Sequence, residues 1–258
     1  MSDEIPMARR DLIGERLAQG QSVIAAALAA EFDVSEDAIR RDLRALAAEG
    51  LCRRVYGGAL PITPGWLPMA ARIGADRERK QALARAAATA IRTGEFIFLD
   101  SGSTNLALTE FLPEDAELTI ATNSIDIATA VLQRQDLKLI MIGGAVDPVI
   151  GGSVDAGAVL TIGQMNVDRL FLGACAVSAK SGISAIDTAD AVFKRTLLSV
   201  SRETLVLATT DKLETRAPHR VAAIKDIAHL VVEHDAPTAQ LKALTKAGAS
   251  ILKAGPPA

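Results

Sequence analysis

The sequence has little cysteine, few aromatic residues and no long apolar run. Its 258 residues include two cysteines, Cys52 and Cys175, which lie outside any Cys-x-x-Cys or Cys/His spacing. This pattern disfavours a disulfide framework and a structural zinc site, and we expect two reduced thiols. Aromatic residues make up 3% of the chain, so its core must be built from Ala, Leu, Ile and Val.

No stretch of about 18 uninterrupted apolar residues is present, which argues against a membrane span. The first ten residues, MSDEIPMARR, lack the apolar segment of a secretion signal. We therefore expect a soluble, cytoplasmic protein with no membrane partner. His219, His229 and His234 lack metal-binding spacing, and we expect neither a metal nor another cofactor. The length suits one large or two modest domains.

The first 60 residues predict helices followed by a small β-hairpin. Candidate helices cover residues 7–18, 22–32 and 35–49. Between the second and third, Asp33 suits a tight turn because it tolerates the left-handed conformation, and Ser35 has the chemistry of an N-cap. Two short strands around Gly57-Gly58 follow the third helix. Two helices joined by a tight turn and followed by a hairpin predict a winged helix-turn-helix.

The third predicted helix carries an arginine cluster. Its residues Ile39, Leu43 and Leu46 have the spacing of a buried face. Arginines lie on the other side of the helix and continue into the hairpin: Arg40, Arg41, Arg44, Arg53 and Arg54. Residues 39–60 contain five Arg, one Asp and one Glu, a local charge of +3 in a chain whose formal charge is −3. A solvated charged face is the alternative, but the surrounding elements favour insertion into the DNA major groove.

Residues 61–75 contain three prolines and the single tryptophan, Trp66, and they are interpreted as a linker. From residue 76 onward, apolar strand segments alternate with helical segments. This alternation predicts a mostly parallel sheet that is covered on both faces by helices. The predicted organisation is a DNA-binding domain over residues 1–60, a linker over 61–75, and an effector-sensing and oligomerisation domain over 76–258.

The segment DSGST, residues 100–104, follows the apolar strand FIFL where a helix is predicted to begin. Free N–H groups at a helix start bind phosphate, and Gly102 allows close approach of a ligand. The segment is neither a Walker A loop nor a nucleophile elbow, and simple N-capping is the alternative. Comparable loops follow other strands at residues 122–124, 143–144, 173–174 and 210–212. Ligands of open α/β sheets bind beside the carboxyl ends of strands, so we expect these loops to converge on one pocket.

The segment VSEDAIRRDLRALAAEGLCRRVYGGA resembles the DNA-binding segment of the DeoR family of bacterial transcriptional regulators. The resemblance lies in the S-x-x-x-IRRDL-x-x-L-x-x-x-G pattern and the closing GGA. Ala38 stands where the family usually has Thr, and Tyr56 where it usually has His. The resemblance implies a double-stranded operator DNA partner. The assigned DNA-binding residues are Ser35, Arg40, Arg41, Arg44, Arg53, Arg54, Tyr56, Gly57 and Gly58.

The resemblance extends over nearly the whole chain through FLDSGST, TNS, IGG, FLGA and two lysines. DeoR-family sensor domains are similar in fold to ribose-5-phosphate isomerase, with a Rossmann-like open sheet, and bind phosphorylated sugars or related metabolites. Asp190, Ala176 and Asp211 depart from the usual family pattern. The implied effector-binding residues are Asp100, Ser101, Gly102, Ser103, Thr104, Thr122, Asn123, Ser124, Gly143, Gly144, Gly173, Lys194, Asp211 and Lys212.

Three functions follow from these patterns. The leading one is a repressor of a carbohydrate catabolic operon, without catalytic activity, that is relieved by a phosphorylated sugar or polyol effector. The second is an isomerase-like enzyme with an accessory DNA-binding head, for which Asp100, Asp211 and Lys212 are candidate general bases. In the third, the large domain serves only for oligomerisation. Winged-helix heads usually act in pairs on symmetric sites, so we expect a homo-oligomer, either a dimer or a tetramer.

Overall fold

The computed structural model describes residues 6–18, 21–48, 51–61 and 67–257. The chain divides into two compact units, Met1–Leu67 and Pro68–Ala258. Within the described ranges, no helix has both the length and the apolar character needed to cross a membrane.

The first unit is a winged helix-turn-helix, as the sequence predicts. Its elements are α1 (Pro6–Ala18), β1 (Val23–Ile24), α2 (Ala25–Glu31), α3 (Glu36–Ala48), β2 (Cys52–Val55) and β3 (Gly58–Pro61). Apolar residues of all three helices, among them Ile13, Leu28 and Leu43, form its core. The turn before α3 has the predicted form, because Asp33 is left-handed at φ +50° and the Ser35 hydroxyl accepts a hydrogen bond from the Ala38 amide at 3.3 Å.

One expectation for this unit is wrong, because the second helix does not begin near residue 22. Val23 and Ile24 instead form β1, which pairs antiparallel with Ala59 and Gly58 of the wing. The close pairing requires glycine at position 58, since a Cβ there would lie 2.0 Å from the Val23 carbonyl oxygen. The wing is therefore the three-stranded sheet β1-β3-β2 rather than a hairpin.

The predicted linker also ends earlier than expected. Met69–Gly74 forms α4, which belongs to the second unit. The Met69 side chain is buried, and the Met69 amide donates to the Val149 carbonyl at 3.2 Å. The expected linker therefore contains residues of the folded second unit, and Trp66 lies outside the described residues.

The second unit contains twelve strands and seven α-helices among its described residues, counting α4. The strands are β4 (Phe96–Leu99), β5 (Thr119–Thr122), β6 (Lys138–Met141), β7 (Val146–Asp147), β8 (Gly152–Ser153), β9 (Val167–Leu172), β10 (Ala176–Ser178), β11 (Gly182–Ala185), β12 (Ser201–Ala208), β13 (His219–Ala222), β14 (His229–Val232) and β15 (Ile251–Lys253). The further helices are α5 (Arg77–Ala88), α6 (Ser103–Leu108), α7 (Ile125–Leu132), α8 (Ala156–Ile162), α9 (Thr188–Val200) and α10 (Thr238–Lys246).

Seven strands form one parallel sheet in the order β15-β14-β12-β9-β4-β5-β6. Neighbouring residues of β4 point to opposite faces, so that Phe98 joins one apolar core with α8, α9 and α10, whereas Ile97 and Leu99 join the other with α5, α6 and α7. The predicted open α/β sheet with helices on both faces is confirmed. The chain order reverses between β4 and β9, and such a switch point is where ligands of open α/β sheets bind.

Candidate functional site

In the first unit, α3 presents its arginines on the side opposite its buried face. Ile39, Leu43 and Leu46 are at most 2% exposed, whereas Arg41 and Arg44 are exposed. This division follows from the helical spacing, which places the arginines between the apolar positions. An exposed helix face of this kind is the element that winged helix-turn-helix proteins insert into the major groove.

Acidic neighbours decide which arginines of α3 carry free positive charge. Arg40 forms ion pairs with Glu36 at 2.7 Å and Asp37 at 3.4 Å. Asp42 is held by Arg9 of α1 at 2.7 Å, so its charge is neutralised within the unit. Neither Arg41 nor Arg44 has an ion-pair partner in the described part of the chain. Because Arg44 Nε donates to the Arg40 carbonyl at 3.2 Å, Arg41 is the most available cation of this helix.

The wing carries the remaining residues assigned to DNA. Arg54 is exposed on β2, and Tyr56 is fully exposed in the turn. Gly57 has φ +82°, a left-handed conformation that favours glycine, and its carbonyl accepts a hydrogen bond from the Ala25 amide at 2.8 Å. The side chain of Arg53 lies outside the described residues.

In the second unit, Asp100 and Gly173 connect the two sides of the switch point. Asp100 follows β4 and is fully buried. Its Oδ2 accepts hydrogen bonds from the Gly173 amide at 2.8 Å and from Lys194 Nζ at 2.6 Å. A side chain at position 173 would clash, because its Cβ would lie 2.6 Å from the Ser101 carbonyl oxygen. The predicted glycine, aspartate and lysine therefore meet at one point.

The loop after β5 meets the same point through Asn123. Asn123 Oδ1 accepts from the Ser101 amide at 3.0 Å, and its Nδ2 donates to the Ser153 carbonyl at 3.2 Å. Thr122 and Ser124 are engaged with the backbone instead. The Thr122 hydroxyl donates to the Leu99 carbonyl, and the Ser124 hydroxyl accepts from the Ile127 amide as the N-cap of α7. These two residues shape the loop through the backbone.

The place where Asp100, Gly173 and Asn123 meet is here called the junction. Several buried polar atoms around it have no hydrogen-bond partner among the described residues. They are Asp100 Oδ1, Ser101 Oγ, Thr104 Oγ1 and Ser153 Oγ. Leaving such an atom unsatisfied costs about 1–3 kcal/mol, so buried polar groups are normally paired with protein, water or ligand. Gly102 lies between Ser101 and Thr104 in the chain, and an added Cβ there would meet nothing closer than 3.9 Å. The arrangement offers unpaired hydroxyl groups to a polar ligand.

Lys194 holds two buried carboxylates at the junction. Its Nζ lies 2.6 Å from Asp100 Oδ2 and 2.9 Å from Asp190 Oδ1. Burial opposes the charge of Lys194, but the two carboxylates outweigh it and raise the lysine pKa. Burial also raises the pKa of Asp100, and the charge of Lys194 opposes that rise.

Three further cations are linked to this group by electrostatic interactions. Arg72 interacts with Asp190 and Asp100, Lys212 interacts with Lys194, and Lys80 interacts with Lys212 and Arg72. Burial lowers the pKa of all three, and the charge of Lys212 lowers the pKa of Lys80 further. Neither lysine forms an ion pair with a carboxylate in the described ranges. Together with Lys194 they form a group, here called the cation cluster, whose members repel one another. Such a group is stabilised by an anion.

The structure does not bring every predicted effector-binding residue into contact with this junction. Gly144 has φ +137° and packs against Asp155, the N-cap of α8. Gly143 lies beside it after the edge strand β6, where an added Cβ would meet no atom within 4 Å. Ser103 begins α6 and is buried, whereas Asp211 is exposed. Burial lowers the pKa of Lys212, and the charge of Asp211 opposes that change.

Sequence reasoning missed several residues of this region. Arg72 lies in the segment that the sequence analysis interprets as a linker, Lys80 lies on α5, and Ser153 lies in the β7–β8 hairpin. Glu233 was also missed. It accepts a hydrogen bond from the Thr210 amide at 2.8 Å and so holds the turn that carries Lys212. A lysine and a serine in these contexts have no local signal, and only the tertiary structure reveals them.

Comparisons with known proteins agree with the fold. The DeoR C-terminal sensor domain matches residues 75–234, and the DeoR-like helix-turn-helix domain matches residues 9–64. The glycerol-3-phosphate regulon repressor of Haemophilus influenzae is 31% identical over 79% of this chain and 80% of its own length. The transcriptional repressor AccR of Agrobacterium fabrum is 29% identical over 87% of this chain and 88% of its own length.

Among solved structures, ribose 5-phosphate isomerase A from Methanocaldococcus jannaschii aligns with 54% of this chain and 55% of its own length, at 17% identity and a TM-score of 0.39. The two domain matches together span both units of the chain. The chain therefore belongs to the DeoR family of bacterial transcriptional regulators.

Proposed function

We propose that the protein represses a carbohydrate catabolic operon and releases its operator when a phosphorylated sugar or polyol binds the second unit. The operator is bound by α3, with Arg41 as its most available cation, and by the wing with Arg54. Both relatives named above are repressors, one of them of a glycerol-3-phosphate regulon, which supports the sign of regulation and a phosphorylated ligand.

The cation cluster is the observation that carries the effector assignment. Lys194 pairs with the two buried carboxylates, Asp100 and Asp190. The carboxylates that act on Lys80 and Lys212, Asp76 and Asp211, are exposed to solvent, so the positive charges of Arg72, Lys80 and Lys212 are only partly compensated. A phosphate monoester carries a charge of about −1.5 to −2 at neutral pH and has three acceptor oxygens. The unpartnered hydroxyls of Ser101 and Thr104 are available as donors, and Asp100 Oδ1 is available to accept from a sugar hydroxyl.

The test of this site is a thermal-shift panel of sugar and polyol phosphates with their dephosphorylated counterparts. The Ser101→Ala, Thr104→Val double variant should weaken a phosphorylated ligand far more than its dephosphorylated form. Thr109→Val is the matched control, because the Thr109 hydroxyl donates to the Leu106 carbonyl within its own helical turn. Equal weakening of both ligand forms would assign the two hydroxyls to loop stability only.

DNA recognition is tested by selecting bound sequences from random duplexes and measuring their affinities. Losing one base-reading arginine should cost about 1–3 kcal/mol and relax the preference at one base pair. We expect this result for Arg41→Ala. Arg54→Ala should weaken all sequences alike and reduce the salt dependence of binding. Unchanged operator affinity in Arg40→Ala, Arg41→Ala and Arg44→Ala would contradict the assignment.

Coupling between the units is tested by titrating the effector with and without saturating operator. A repressor that is relieved by its effector must bind the effector more weakly on DNA, by the same factor as the effector weakens DNA binding. Typical coupling amounts to about 1–3 kcal/mol. Equal effector affinity in both titrations would show that the units are uncoupled.

A sugar-phosphate isomerase is the second candidate. It is favoured by Asp100, whose Oδ1 is buried without a described partner and whose pKa is raised by burial, as in a general base. Incubation of each bound sugar phosphate with the protein, followed by product analysis, decides between the two. Turnover that Asp100→Asn abolishes would establish the enzyme.

A further inference from the structure

One segment of the second unit carries nearly all of its exposed apolar side chains. Residues 125–160 run through α7, β6, the β7–β8 hairpin and α8. Among the described residues of this unit, all but one of the large apolar side chains that are exposed belong to that segment. They are Ile125, Leu132, Ile140, Met141, Val146, Val149 and Leu160. Such a concentration marks a surface that a partner covers.

The strand β6 of this segment is an edge of the seven-stranded sheet. It pairs with β5 on one side, and no strand of the described residues pairs with its other side. The Ile142 amide, just after β6, donates to the Thr122 carbonyl of β5 at 2.8 Å. Because backbone groups alternate in direction along a strand, those of Leu139 and Met141 point away from β5. These groups are free to pair with another strand.

The opposite edge of the same sheet is protected against such pairing, whereas β6 is not. β15 has three residues, ends at Lys253 and is followed by two prolines at residues 256–257. Short length, lysine and proline are features by which proteins prevent an edge strand from pairing with another chain. In β6, Ile140 and Met141 are 40% and 39% exposed, and the single charge, Lys138, lies at the first position. This edge is therefore open.

The helix α7, which packs on β6, extends the apolar surface. Ile125, Thr129 and Leu132 are exposed and have the spacing of one helix face. The Thr129 hydroxyl donates to the Ile125 carbonyl at 2.9 Å, so this face has no unpaired hydroxyl donor. A standard interface takes roughly 20–30 residues a side, and most of residues 125–160 are at least partly exposed. The segment is large enough for a stable interface.

The carboxylates nearest β6 in the chain are satisfied within the unit. Asp136 pairs with Arg134 at 2.5 Å. Asp147 and Asp155 accept hydrogen bonds from backbone amides of residues 145–158. Covering this surface therefore leaves none of these three charges without a partner, which is the main penalty for burying a charged group.

We propose that β6 forms an interface with a second copy of this chain, paired antiparallel with its own counterpart about a two-fold axis at Ile140. In this register, Leu139 opposes the partner subunit's Met141, so the outward backbone groups exchange hydrogen bonds in reciprocal pairs. The pairing is self-complementary, as a two-fold interface requires. The resulting dimer carries two DNA-binding units, the number that a symmetric operator needs. The interface does not depend on which effector the second unit binds.

The experiment measures the molar mass of the full chain by sedimentation over a range of concentrations. Ile140→Lys places two like charges opposite each other at the axis, and Ile140→Glu does the same with the other sign. An equal mixture of the two variants places opposite charges there. Val192→Lys is the matched control, because Val192 on α9 is 39% exposed and lies outside residues 125–160. Amide hydrogen exchange of residues 139–141 is followed in the same samples.

We expect the wild type and Val192→Lys to form a dimer or a larger even assembly. Each Ile140 variant alone should raise the dissociation constant roughly hundredfold or more, so that the molar mass falls to half or less. The mixture should restore the assembly and the protection of residues 139–141, which unfolded variants could not do. A monomeric wild type, an unchanged mass in both Ile140 variants, or a mixture that stays dissociated would each overturn the two-fold pairing.

Discussion

Replacing Lys194 with methionine leaves two carboxylates buried without their shared cation. Asp100 is fully buried and Asp190 is 4% exposed, so neither can be solvated by water without local opening. Removing one partner of a buried ion pair costs about 3–5 kcal/mol, because the remaining charge is uncompensated. For a unit the size of Pro68–Ala258, that loss corresponds to a fall in melting temperature of about 6–20 °C.

The loss should depend on pH in a defined direction. Burial raises the pKa of Asp100, and Lys194 is the group that opposes this rise, so the variant should have a still higher folded-state pKa. An acid whose folded pKa exceeds its unfolded value binds more protons when folded, and stability then increases as the pH falls. The deficit of Lys194→Met should therefore be largest near pH 7 and should shrink as the pH falls towards the unfolded Asp pKa of about 3.9.

Urea unfolding of the variant at pH 7 and pH 5 measures both effects. Asp100→Asn, made alone and with Lys194→Met, completes a double-mutant cycle that isolates the pair. Lys242→Met on the exposed side of α10 is the matched control and should be neutral. A Lys194→Met deficit that is absent at pH 7, or equal at the two pH values, would refute the reasoning.

Two further predictions concern the first unit. Gly58→Ala should destabilise it by about 1–3 kcal/mol, since its Cβ would meet the Val23 carbonyl oxygen at 2.0 Å. Gly57→Asn should be tolerated because asparagine accepts the left-handed conformation, and equal melting temperatures for the two variants would contradict this. Arg9→Ala should weaken binding of all DNA sequences by leaving Asp42 unpaired on α3, and Asp42→Ala in the same chain should restore it. An unrescued loss in DNA titrations would instead assign Arg9 to direct phosphate contact.

The elements that sequence predicts well are those whose signal is local. The spacing of Ile39, Leu43 and Leu46 defines the buried face of α3, and all three are buried in the structure. The strand before Asp100 ends at Leu99, as the apolar run indicates. The first pattern depends on the period of a helix and the second on a continuous apolar run that ends at a polar loop, and nearby residues alone determine both.

The elements that sequence misses depend on distant partners. β1 forms because Val23 and Ile24 pair with the wing strand β3. From sequence alone, these two residues are equally compatible with the first turn of a longer helix that includes the apolar residues after them. In the antiparallel sheet β10-β11-β13, the short hairpin of β10 and β11 pairs with β13, a strand that follows α9 in the chain. Such pairings carry no local period, and strands of three or four residues are below the length at which alternation is informative.

The family resemblance points to two members of the cation cluster, Lys194 and Lys212. The cluster as a whole could not be predicted from sequence, because its members come from α4, α5, α9 and the turn after β12. The fold satisfies two of them within the protein. Lys80 donates to backbone carbonyls, and Lys194 bonds to Asp100 and Asp190. Lys212 and the Nε of Arg72 remain without partners among the described residues, and both are held in place by other contacts. An unsatisfied cation that is already positioned favours a dianion over a monoanion, because the second charge adds attraction without adding cost in ordering side chains. The junction should therefore prefer a phosphate ester to a sugar acid with the same carbon skeleton.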